Sequence, residues 1–123
     1  MSAIISTRLG ERTCVVEVAA ALDDGAAERL VQRVDTAMAD GCRDFVLDLT
    51  AVRGCRDRRP IAALSRLARR FAGEGCEVVV AARHVDLLAF LDSVPSFSKL
   101  PVALARDEAL ALLLERPVEA ASP

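Results

Sequence analysis

Seven arginines fall between Arg53 and Arg70, at positions 53, 56, 58, 59, 66, 69 and 70, against a single acid, Asp57. A guanidinium is a planar fork whose paired N–H donors match phosphate and carboxylate oxygens. The run therefore suits an anionic partner surface. On a helix that begins near Pro60, Arg66 and Arg70 lie four residues apart on one face, and Arg59, seven before Arg66, points the same way. An ordinary solvated helix face is the equal alternative, because Lys99 is the one lysine of a chain that uses arginine almost throughout.

The other reactive side chains form no recognisable constellation. Cys14, Cys42, Cys55 and Cys76 are widely spaced and make no CxxC, and His84 is the only histidine. Zinc needs four convergent ligands, usually in close pairs, so no metal site is expected. In a reducing cytoplasm such thiols read as small core hydrophobes. Asp44 and Asp48 alternate with apolar residues on one strand and could face a site, or Asp48 could cap the following loop. No GxGxxG follows a strand, and neither a P-loop nor a GxSxG elbow is present. The expectation is a protein without cofactor and without catalysis of its own.

Composition narrows the classes further. The 123 residues are 53% hydrophobic and 28% charged, enough for one core and not for two. Aromatic residues make up 3%, with no Trp or Tyr, so there is no platform for stacking bases or sugars. A formal charge of -2 gives no general attraction to nucleic acid or anionic lipid. No apolar run approaches a membrane span and no targeting segment is visible, so a cytoplasmic protein is expected.

The elements that must position these residues follow from periodicity. Ile4 to Arg8 and Thr13 to Ala19 alternate as two strands of a hairpin across Gly10, with Cys14, Val16 and Val18 on one face and Val15 and Glu17 on the other. Asp23 and Asp24 start a helix over about 26–39, striped by Ala27, Leu30, Val31, Val34 and Met38 and ended by Gly41. Cys42 to Leu49 reads as a central strand. After the arginine loop, Pro60 opens a helix to about Glu74 with Ile61, Leu64, Leu67, Ala68 and Phe71 inward. Val78 to Ala81 reads as a buried parallel strand. A helix over about 85–91, a strand over 100–105 and a helix over 106–114 follow, leaving 115–123 as a disordered tail. Strands joined by single helices run parallel through right-handed crossovers. The expected fold is one α/β domain over residues 1–114, a mostly parallel sheet with an antiparallel edge strand and about four helices.

This order and several local patterns resemble the STAS domain family, which includes the bacterial anti-sigma factor antagonists. Asp48-Leu49-Thr50-Ala51-Val52, then an Asp and the helix start Ile61-Ala62-Ala63-Leu64, is similar to the family's Asp-Leu-Ser/Thr-x-Val, Asp-Ser-Ser/Thr-Gly and leucine-rich helix. Val16-Glu17-Val18 with Leu22-Asp23, and Arg106-Asp107-Glu108-Ala109-Leu110, resemble its upstream strand and its closing helix. The resemblance spans about residues 4–114. It implies a regulatory domain that binds an anti-sigma factor of the switch-protein kinase type, which phosphorylates the motif serine to release the pair.

The motif itself departs from that pattern. With Ile61 to Leu64 as anchor, Asp57 matches the motif Asp, Arg58 replaces the phospho-serine, Arg59 the second hydroxyl and Pro60 the glycine. An ungapped count from Asp48 puts Asp57 on the serine; the first alignment restores the helix register and is preferred. Neither offers a hydroxyl, and Thr50, Ser65, Ser93, Ser96 and Ser98 all lie elsewhere. Phosphate would add about -1.5 to -2 charges here, where arginine adds a fixed positive one. The partner-binding residues expected from the resemblance are Gly54, Cys55, Arg56, Asp57, Arg58, Arg59, Arg66 and Arg70, in a monomer or weak homodimer. An accessory STAS subunit of a lipid-transport ATPase, and an arginine-patch binder of nucleotide or nucleic acid, are the alternative readings. The family topology also makes the strands after Cys42 and Cys76 parallel neighbours, so these two thiols are the candidate redox pair, with Cys14 in the core and Cys55 at the opposite end of the sheet.

Overall fold

The computed structural model describes residues 4–19, 21–55 and 58–121, with side chains in the last segment described through residue 114. The elements are β1 (Ile4–Arg8), β2 (Thr13–Val18), α1 (Asp24–Ala39), β3 (Asp44–Asp48), α2 (Pro60–Gly73), β4 (Glu77–Ala81), α3 (Val85–Asp92), β5 (Val102–Ala103) and α4 (Arg106–Ala121). A short 3₁₀ turn, Phe97–Lys99, lies between α3 and β5. The five strands form one sheet in chain order. β1 runs antiparallel to β2, and every other pairing is parallel.

Chain-order strands with crossovers of one hand must place all the crossover helices on one face. That is what the packing shows. Cys14, Val16 and Val18 of β2, Phe45 and Leu47 of β3 and Val78 and Val80 of β4 share a core with α1, α2 and α3. The alternate residues Val15, Val46, Val79, Ala81 and Ala103 meet Ala109 and Leu113 of α4 on the other face. The helix that follows the last strand thus folds back beneath the sheet, against β3, β4 and β5.

Local chemistry sets the helix ends. Asp23 is the N-cap of α1, and its Oδ1 accepts the Ala26 N–H at 2.7 Å. Pro60 opens α2 where a missing N–H has no cost, and Arg59 before it makes no side-chain cap. Gly41 beyond α1 has φ of +100°, a conformation closed to most side chains. The inward face of α2 buries Ala63, Leu64, Leu67, Ala68 and Phe71, and the Phe71 ring meets Phe45 with centroids 5.3 Å apart. Each such phenyl ring contributes about 2–3 kcal/mol by leaving water.

Two boundaries differ from the sequence reading. β5 is only two residues long, because the Pro101 nitrogen cannot donate to a ladder, although the Pro101 carbonyl accepts the Val80 N–H at 2.8 Å. α4 runs to Ala121, past the end expected at Leu114.

Candidate interaction site

β3 ends on Asp48, a carboxylate only 3% exposed in an otherwise apolar core. Burying it unpartnered would be costly, so its bonds identify what the fold holds in place here. Asp48 Oδ1 accepts the Thr50 N–H at 3.0 Å and the Thr50 hydroxyl at 2.7 Å. Its Oδ2 accepts Arg106 Nε at 2.7 Å, and Arg106 Nη2 donates to Glu17 Oε1 at 3.0 Å. Burial pushes the Asp48 carboxyl up, but the Thr50 bonds and then the Arg106 guanidinium more than reverse this, holding it below its ordinary range. The bond to Asp48 in turn raises Arg106. Glu17 and Asp48 are register partners on β2 and β3, so one arginine at the start of α4 clamps the ends of both strands.

From this anchor the chain makes a tight turn, with the Val52 N–H donating to the Leu49 carbonyl at 3.0 Å and both side chains buried. Arg53 is then exposed. Gly54 passes so close to α3 that a Cβ there would stand 3.3 Å from Asp86 Cβ. The Cys55 thiol donates to the Leu22 carbonyl at 3.1 Å, fastening the loop to the segment before α1. Cys55 is therefore half-buried and partnered within the chain. Arg58 and Arg59 are exposed where α2 begins. The candidate residues Arg56 and Asp57 lie outside the described residues.

The rest of the arginine face goes elsewhere. Arg66 Nη2 donates to Glu28 Oε1 at 2.6 Å, and Arg70 Nε stands 3.1 Å from Asp35 Oδ1. Both acids belong to α1, so these arginines form a seam between two helices. The face expected from helical spacing is real, but two of its charges have intramolecular partners. Sequence periodicity could not show this, because the acids lie 38 and 35 residues upstream of their arginines.

Asp44 and Asp48 share a strand but not a site. Asp44 opens β3 at the opposite end of the sheet, 3.8 Å from Arg12 Nε. His84 precedes α3 and makes no side-chain cap. At the Asp44 end, Cys14 and Cys42 are buried and Cys76 is half-buried, all as free thiols. Cys14 lies in the core as expected. Its Sγ stands 3.9 Å from the Val15 carbonyl oxygen, burial pushes its thiol up to about 11, and it lines a small cleft together with Cys42. Sequence reasoning missed Arg106 as a site residue. Its one signal was the acidic residues at the ends of β2 and β3, which need a cation.

No helix among the described residues is long and apolar enough to cross a membrane. Among curated proteins no sequence matches the chain. An anti-sigma factor antagonist from Mycobacterium paratuberculosis has a similar structure, with a TM-score of 0.75 at 20% identity over 93% of this chain and 95% of that one. The anti-sigma factor antagonist SpoIIAA in its unphosphorylated form gives a TM-score of 0.74 at 12% identity, covering 92% and 97%. The family model of the STAS domain matches residues 5–109, which contain β1 from its second residue, β2 to β5, the loop after β3 and the Asp48–Arg106 clamp. The chain belongs to the STAS domain family.

Proposed function

We propose that this protein is a regulatory binding module of the anti-sigma factor antagonist type, whose partner is an anti-sigma factor of the switch-protein kinase class. The observation that carries the reading is the loop after β3. Its base is fixed by a buried, fully partnered carboxylate, and its outer end presents Arg58 and Arg59 at the place where the family resemblance puts the acceptor hydroxyls. Structural neighbours described as anti-sigma factor antagonists support the partner class. The protein acts in the cytoplasm by binding and has no turnover of its own. Its surface is Arg53 to Arg59 with Gly54 and Cys55 as the docked inner part, and Arg66 and Arg70 at its margin.

Arginine in place of the hydroxyl removes the phosphorylation switch, so the complex persists in the presence of ATP. The ion pairs of Arg66 and Arg70 to α1 count against the alternative of a phosphate-backbone binder, which needs unpaired cations along one face. Titration of the protein into a switch-protein kinase, with and without ATP, tests the reading. Binding that ATP leaves unchanged is the expected result. Phosphate appearing on the antagonist, with release of the complex, would overturn it.

A further inference from the structure

The sheet has two edges, and the chain treats them differently. β5 is blunted: it is two residues long, Pro101 before it has no N–H to offer, and the Leu104 N–H after it points to Glu108 Oε1 at 3.5 Å. β1 carries no such device among the described residues. It is five residues long, contains no proline and is exposed from Ile5 to Arg8. Its one charge, Arg8, folds back onto its own turn, donating from Nε to the Gly10 carbonyl at 2.8 Å and from Nη2 to the Glu11 carbonyl. The Leu9 N–H donates to the Thr13 carbonyl at 2.8 Å, and the register sets Thr7 opposite Val15 and Ile5 opposite Glu17. Bonded pairs alternate along an antiparallel ladder, so Ile5, Thr7 and Leu9 bond to β2, while the backbone groups of Ile4, Ser6 and Arg8 point outward along the free edge. Ile5, on the face away from α1, is 49% exposed because α4 covers only β3 to β5.

We infer that β1 is a self-association edge: two copies of the chain pair antiparallel through β1 about a two-fold axis at Ser6, joining two five-stranded sheets into one. The pattern is self-complementary. Ser6 exchanges both backbone bonds with the partner's Ser6, and Ile4 does so with the partner's Arg8. Ile5 lies opposite the partner's Thr7 and diagonal to the partner's Ile5, so two exposed apolar side chains leave water together on the face that α4 does not reach. The two Arg8 residues stand at opposite ends of the pairing. Arg33, whose Nη1 lies 3.5 Å from Ser6 Oγ on the other face, brings like charges to the axis, which keeps the association weak and makes it tighten as salt rises. The axis runs perpendicular to the sheet, so the loops after β3 open at opposite ends of the joined sheet and stay free in both copies.

Sedimentation velocity and amide exchange on the folded wild-type chain test the inference. Raising the protein from about 1 μM to about 500 μM is expected to shift the mass from one chain toward two, more so at high salt. At the higher concentration the Ser6 and Arg8 amides exchange at least about threefold more slowly, whereas the Thr7 amide, already bonded to β2, changes little. Ile5→Lys keeps the melting temperature and stays a single chain at both concentrations. Ser6→Pro removes the N–H at the axis without removing a bond to β2, and has the same effect. A wild type that remains one chain at about 500 μM, or a dimer whose Ser6 and Arg8 amides exchange as fast as in the monomer, would overturn the inference, and both are read on the wild type even if a variant fails to fold.

Discussion

The two ends of the sheet are built on opposite principles. Where β2 and β3 finish, Glu17, Asp48, Thr50 and Arg106 form a connected polar network, with one buried carboxylate accepting three bonds. Where the same strands begin, Cys14 and Cys42 pack as thiols, and the nearby Arg12–Asp44 pair is loose at 3.8 Å with the arginine largely exposed. A buried polar network is satisfied in one geometry only, so it fixes the backbone that leaves it. Thiols tolerate small shifts as soft hydrophobes do. The end that must present a loop is therefore the end that carries the demanding chemistry.

The largest break in that comparison is Asp48→Ala. It removes both Thr50 bonds and leaves Arg106 facing Glu17 alone, and urea unfolding is expected to show a loss of about 2–4 kcal/mol. The upper figure is limited because Arg106 is 40% exposed and can rehydrate. Alanine at Arg12, in the loose pair at the other end, is expected to cost under about 1 kcal/mol in the same assay.

Acid sharpens the contrast. The Asp48 carboxyl is held below its ordinary value of 3.8, so its contribution is present above that value and disappears as pH falls through the folded-state pKa. The stability gap between wild type and Asp48→Asn is expected to be widest above about pH 5 and to close progressively below about pH 4. A gap that stays constant down to strong acid would mean that Thr50 and Arg106 do not favour the ionised form.

Much of this was legible in the residues. Alternation in Thr13 to Val18 placed Cys14, Val16 and Val18 against the helices and Val15 and Glu17 on the far side, as the structure has them. Asp23 as a cap and Pro60 as a helix opener are local chemistry, and local chemistry reads directly from sequence. What could not be read is pairing across the fold. Arg66 and Arg70 share a face by spacing, yet their partners Glu28 and Asp35 come from another helix. Arg106 binds Asp48 from 58 residues away.

The smallest expected effects belong to the helix seam. Arg66→Ala and Arg70→Ala, both half-exposed, are each expected to cost no more than about 1 kcal/mol by thermal or urea unfolding. Partner affinity should change little in either variant, because those side chains hold α1 and α2 together at the margin of the surface. A strong loss of binding from Arg70→Ala with unchanged stability would move the interface onto the helix face.

The central claim is that the loop after β3 is a partner surface whose switch has been replaced by fixed positive charge. Calorimetric titration of a switch-protein kinase with wild type and with Arg58→Glu/Arg59→Glu, in the presence of ATP, tests it most directly. The account expects wild type to bind and stay unmodified by intact mass. The double variant should keep its melting temperature and lose at least about tenfold in affinity, or about 1.4 kcal/mol. Equal affinity of the two folded proteins, or a phosphate on wild type that releases the complex, would contradict it.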